Sequence, residues 1–131
     1  MSWRQYLAPL LGGIIIGLCL LMLRVVFVTG ASMEPALSKG DVCIVVRGLT
    51  AQKGDIILYG KPQSRPTVHR VLRVTRAGAF VTQGDANEFP DFEPVLPEEV
   101  IGPVVIVIPT RAALTEWKQA TMGATLLNHL E

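Results

Sequence analysis

The sequence predicts a mostly β fold: one N-terminal transmembrane helix, then a small antiparallel β domain, then a C-terminal helix. Three observations carry this. An uncharged apolar run, residues 7–23, dominates the start of the chain. Five short segments rich in Val, Ile and Thr follow, separated by Gly, Pro and Asp. The last stretch, 111–131, has apolar residues at helical spacing. The 131 residues allow one ordinary domain at most. The net charge of +1 argues against a nucleic-acid partner or a polyacidic substrate.

Residues 1–6 read as a short tail and residues 7–28 as a membrane anchor. As a helix rising ~1.5 Å per residue, 7–28 would cover about 33 Å, against a hydrocarbon core of about 30 Å. Pro9, Gly12, Gly13 and Gly17 weaken a helix in water but are tolerated in lipid. Arg24 can extend its guanidinium towards the interface. A cleaved secretory signal is the competing reading, with "VTGAS" as the cleavage region. The run is longer than the usual core of such a signal, which favours a retained anchor. Cys19 falls in this run and Cys43 in "VCIVV", so they are read as small apolar fillers rather than a disulfide.

Residues 29–110 are expected to form the β domain. Its strands fall at 42–47, 55–59, 67–74, 79–83 and 100–109, an antiparallel sandwich or partial barrel. The segment 88–99 is rich in proline and acids and cannot be a central strand, so it reads as a surface loop. The tail 111–131 reads as an amphipathic helix. Leu114, Trp117, Thr121, Ala124, Leu127 and Leu130 recur at spacings of three and four. It is too polar to span, and would pack on the β domain or lie at a membrane surface.

The stretch "TGASMEPALSKGD" begins where the apolar run ends. Gly30 permits backbone geometry that other residues resist, and Pro35 fixes φ and removes a donor. Between them Ser32 would sit in a rigid turn whose free N–H groups could face an oxyanion. A serine that merely forms a turn is the plainer alternative. A nucleophile also needs a base. His69, in "TVHRVLRV", and His129, in the tail, are the only histidines, and Lys39 and Lys53 look like turn residues at the surface. Asp85 in "QGDAN" and Asp91 in "FPDF" are loop acids that could orient an imidazole.

Taken in order, "SMEP", "KGD", "KGDIILY", "HRV" and "GDAN", with an Asp six residues on, resemble the type I signal peptidases, membrane-anchored serine proteases that remove signal peptides from exported proteins. The resemblance runs from the apolar segment to about residue 109. The family has a Ser–Lys branch and a Ser–His branch, and "VHRV" in place of "VKRV" puts this chain with the Ser–His branch. The resemblance implies Ser32 as nucleophile and His69 as general base. Asp91 would orient the imidazole and Asp85 would support the site, though the two acids could exchange roles. Gly30, Met33 and Pro35 fall in the region that holds the oxyanion and substrate, and Met33 and Leu37 would touch substrate or lipid. The chain departs from the family pattern at Gly30, where many Ser–His members have Ser. It departs again in "GDANEFPD", where Phe89 and Pro90 precede the second acid.

The resemblance thus implies an endopeptidase that cleaves signal peptides after small residues and needs no cofactor or metal. Its partners would be signal-peptide-bearing preproteins, the lipid bilayer and possible membrane-complex subunits. The domain would lie on the extracytoplasmic or lumenal face. A histidine base implies activity rising from mildly acidic pH towards neutrality. Two other readings stand beside this one. One is a self-cleaving repressor-type serine protease. The other is a non-catalytic membrane-anchored β domain that binds partners.

Overall fold

The structure, a computed structural model, describes residues 3–110; the expected helix at 111–131 lies outside them. A helix α1 (Arg4–Met22) leads into six strands: β1 (Leu23–Phe27), β2 (Val42–Val46), β3 (Ile56–Tyr59), β4 (Thr67–Val74), β5 (Phe80–Gln83) and β6 (Val100–Ile108). The strands form one sheet in the order β1-β2-β6-β3-β4-β5, with every neighbouring pair antiparallel.

The structure corrects the expected transmembrane helix. The run 7–28 is not one helix. It turns extended at Leu23, and Leu23–Phe27 pairs with β2, Val25 opposite Ile44. Two things combine: "VVF" is β-branched and aromatic and fits a pleated surface, and β2, distant in sequence, offers an edge to pair with. The apolar part of α1, residues 7–22, then measures roughly 24 Å at ~1.5 Å per residue, less than the ~30 Å of hydrocarbon. Among the described residues no helix is long and apolar enough to cross a membrane. The side chains of α1 described in the structure are almost all exposed, Leu10 and Ile16 among them.

Strands β2 to β6 lie where the sequence places them, within a residue or so at each end. They make one continuous sheet rather than a sandwich. β6 ties its two halves together. Its later residues pair with β2 (Val107 opposite Cys43), and its first residues pair with β3 (Gly102 opposite Leu58). The change of partner falls between Pro103 and Val104. A proline gives no ladder donor there, and a side chain at Gly102 would collide with the Val46 carbonyl.

Two apolar clusters hold the sheet. Ile57, Val71, Phe80, Ala51 and Val95 form one. Val28, Met33, Leu37 and Cys43 form the other, with Val68 and Val104 packed against it. The second cluster roots the turn after β1 in the core, and that turn carries Ser32.

Candidate active site

β4 places His69 and Val71 on the buried face. A residue bulges out between Val71 and Arg73, so Arg73 leaves the face that strict alternation would give it. The sheet register then decides the neighbours of His69. Ile57 lies opposite His69 and Tyr59 opposite Thr67, while Thr82 lies opposite Val71. Tyr59 and Thr82 are therefore diagonal neighbours of His69 on the same face, one on each adjacent strand.

Ser32 is held from two sides. Met33 and Leu37 anchor its turn in the core, at 2% and 0% exposure, and the Ala86 amide donates to the Ser32 carbonyl at 2.9 Å. Its Oγ lies 3.1 Å from His69 Nε2. On the other side of the ring, His69 Nδ1 is 2.7 Å from Asp91 Oδ2. The Asp91 amide donates to the Thr82 carbonyl at 2.8 Å, which fixes the loop after β5 over the imidazole. For Nε2 to accept the serine proton, Nδ1 must carry the ring proton and donate it to Asp91.

Asp91 Oδ2 accepts two further hydrogen bonds, from Thr82 Oγ1 at 2.6 Å and Tyr59 Oη at 2.8 Å. Burial pushes the Asp91 carboxyl upwards, but the hydrogen bonds from His69, Thr82 and Tyr59 outweigh it and hold the acid below its ordinary value. Burial and the neighbouring carboxylate push the Tyr59 hydroxyl far up, so it stays a protonated donor.

Asp85 is placed differently. It makes a two-pronged ion pair with Arg70, Nε to Oδ1 at 2.8 Å and Nη2 to Oδ2 at 2.6 Å. Arg70 Nη1 also donates to the Gly54 carbonyl. The Arg70 hydrogen bonds outweigh desolvation and hold the Asp85 carboxyl low. The structure thus brings Ser32, His69 and Asp91 into one chain of contacts and sets Asp85 beside it, paired with Arg70.

The other residues that the sequence singles out are placed as follows. Met33 and Leu37 are buried in the core, and Met33 also lines the cavity beside Ser32. Gly30 has an ordinary φ, and a Cβ there would meet nothing within 4 Å, so no backbone constraint demands glycine. Pro35 is exposed in the turn that follows Ser32. The glycine that matters is Gly84, where a Cβ would stand 2.5 Å from the Ser32 carbonyl oxygen and 3.0 Å from its Cβ. Sequence reasoning alone misses Tyr59, Thr82 and Arg70. The signal is there: Tyr59 and Thr82 lie at or beside register positions that face "VHRV", and Arg70 is one of its residues.

A cavity of about 210 Å3 opens beside Ser32. Val26, Thr29 and Gly30 line one side, and Pro66, Thr67 and Val68 line the other. It is a slot between the end of β1 and the start of β4, and Ser32 is among its lining residues. Among the described residues, no group of His, Cys, Asp and Glu could hold a metal ion.

Residues 21–105, well over half of the chain, match the Peptidase S24-like family. The chain belongs to that family. The match takes in β1, a stretch that hydropathy alone assigns to an anchor. The similar proteins carry signal peptidase names, as the motifs imply. One is the signal peptidase complex catalytic subunit SEC11 of Leptosphaeria maculans, 37% identical over 65% of this chain and 57% of the relative. A second SEC11, from Clavispora lusitaniae, is 39% identical over 51% of this chain and 43% of the relative. Signal peptidase I W of Bacillus subtilis is 35% identical over 56% of this chain and 42% of the relative. The chain spans about half the length of these relatives.

Proposed function

We propose that this protein is a serine endopeptidase that cleaves signal peptides from preproteins, with Ser32 as nucleophile, His69 as general base and Asp91 as the acid that orients the imidazole. The observation that carries this reading is the chain of contacts Ser32 Oγ–His69 Nε2–Asp91 Oδ2, at 3.1 and 2.7 Å. His69 Nε2 takes the Ser32 proton as Oγ attacks the scissile carbonyl. The imidazolium returns that proton to the leaving amine, and a water activated by the same nitrogen releases the acyl group. Among the described residues the Ser32 amide donates to no other backbone carbonyl, which leaves it available to the oxyanion. Asp85 acts through Arg70: their ion pair steadies the loop whose Ala86 amide holds the Ser32 carbonyl.

The narrow slot beside Ser32 suits an extended peptide with small side chains next to the cut. Exposed apolar side chains on α1 support association with a lipid surface, where such substrates emerge. The SEC11 relatives are named as subunits of a complex, so an assembly with other chains is part of the reading. Histidine at the base position argues against a lysine-dependent self-cleaving protease, and the contact chain itself argues against a pure binding domain.

The test is cleavage of a purified signal-peptide-bearing precursor in liposomes from pH 5 to 10. Ser32→Ala and His69→Ala should each lower kcat by about 10³-fold or more, and wild-type activity should rise towards neutral pH. Undiminished turnover in His69→Ala, or a rise only above pH ~8, would point to a lysine base and sink the assignment. A silent wild type calls for reconstitution with partner chains before the reading is abandoned.

A further inference from the structure

Asp91 sits on an irregular loop between two exposed aromatics, Phe89 at 75% and Phe92 at 99% exposure. Nothing in the loop itself would stop its carboxylate from rotating. Three donors converge on one oxygen of it, and two of them belong to no step of the chemistry above. The geometry points to Tyr59 and Thr82 as positioning residues that together decide which imidazole nitrogen of His69 carries the proton.

The Tyr59 hydroxyl has two places to send its single proton. It lies 2.8 Å from Asp91 Oδ2 and 3.3 Å from His69 Nδ1. While it donates to Asp91, Nδ1 keeps its own proton and Nε2 is free to accept from Ser32. If it donated to Nδ1 instead, the ring proton would have to sit on Nε2, and the base would be lost. Thr82 settles the choice. It is fully buried, and its Oγ1 donates to Oδ2 at 2.6 Å while its carbonyl takes the Asp91 amide. It therefore holds the carboxylate where Tyr59 and His69 both reach it. The two hydroxyls also spread the charge of Oδ2 over three hydrogen bonds, which lessens the pull of Asp91 on an imidazolium.

The other charged group that acts on His69 is Asp85, and Arg70 already pairs it. Tyr59 from β3 and Asp91 from the loop are the remaining titratable neighbours. The two hydroxyls should then have different signatures. Removing Tyr59's hydroxyl strips a donor from Asp91 but leaves Thr82 to hold it. Nδ1 keeps its proton, so the tautomer stays as in the wild type. Removing Thr82's hydroxyl frees the carboxylate and lets Tyr59 compete for Nδ1, so the neutral ring shifts towards the Nε2–H tautomer. Deleting both should undo part of the Thr82 defect, because the competing donor is gone.

The inference rests on His69 as the base, and its test reads the ring directly as well as turnover. In this 131-residue chain labelled with 15N-histidine only His69 and His129 contribute, and Ser32→Ala and His69→Ala give the assignment. Tyr59→Phe should keep the wild-type tautomer and lower kcat/KM at neutral pH by about three- to tenfold. Thr82→Val, nearly isosteric, should shift the tautomer and lower kcat by about 100-fold with KM little changed. Thr82→Ser should restore both, and Tyr59→Phe/Thr82→Val should be more active than Thr82→Val alone. A wild-type tautomer in Thr82→Val would overturn the inference. These ring shifts in a protein that cleaves no precursor, even reconstituted, would support the positioning network and remove the peptidase reading.

Discussion

Ser32 depends on its neighbours more than on its own turn. Its carbonyl accepts from Ala86 and its Cβ lies against Gly84, so the loop after β5 and the turn after β1 fix each other. Gly84→Ala would push a methyl group into the Ser32 carbonyl oxygen, which is backbone and cannot swing aside. We expect a loss of roughly 1–3 kcal/mol in urea unfolding and about a 100-fold drop in kcat from a displaced Oγ. Gly30→Ala meets open space at an ordinary φ, and its stability should stay within about 0.5 kcal/mol of wild type. A Gly84→Ala enzyme with wild-type stability and rate would refute the close approach. The contrast also marks what is and is not legible in the sequence. Ser32 and His69 stand out because chemistry singles out few side chains. Gly84's role is a distance between two loops, and no local pattern encodes that.

At the scale of elements, the loop after β5 is held by two carboxylates with different partners. Asp91 is bound by His69, Thr82 and Tyr59, and Asp85 by Arg70 of β4. The sequence leaves these roles interchangeable because both acids lie in one loop. The β4 register separates them: His69 faces inward, so the next residue, Arg70, faces the other way and takes the other acid. Both carboxyls sit below their ordinary range when folded. The unfolded chain therefore binds protons that the folded chain does not. The stability they supply is fully present above about pH 4 and fades as pH falls through their lowered folded values. Asp85→Asn should make thermal stability less sensitive to pH below about 4, while costing about 1 kcal/mol or less at neutral pH for an ion pair near the surface. An acid profile as steep in Asp85→Asn as in wild type would show that Asp85 carries none of this linkage.

For the whole molecule, the deepest misreading is of continuity. Residues 7–28 look like one apolar segment, and hydropathy cannot show where a helix yields to a strand. What decides it is β2, a partner some twenty residues away, whose free edge offers "RVVF" a ladder of backbone hydrogen bonds. The apolar run thus divides into parts with unequal claims on the fold. α1 buries none of its described side chains. β1 covers an edge of the sheet, lines the slot beside Ser32, and leads into Val28, which packs with Met33, Leu37 and Cys43. A chain lacking residues 1–22 should therefore melt within a few degrees of the full chain. One lacking 1–28 loses an edge strand and a buried valine, about 2–4 kcal/mol, and should melt about 10 °C or more lower in a domain of this size. If removing α1 alone lowers the melting temperature as much as removing β1 with it, then the helix supports the sheet. The exposed apolar surface of α1 would then be covered by the fold itself in solution, leaving none of it to meet lipid.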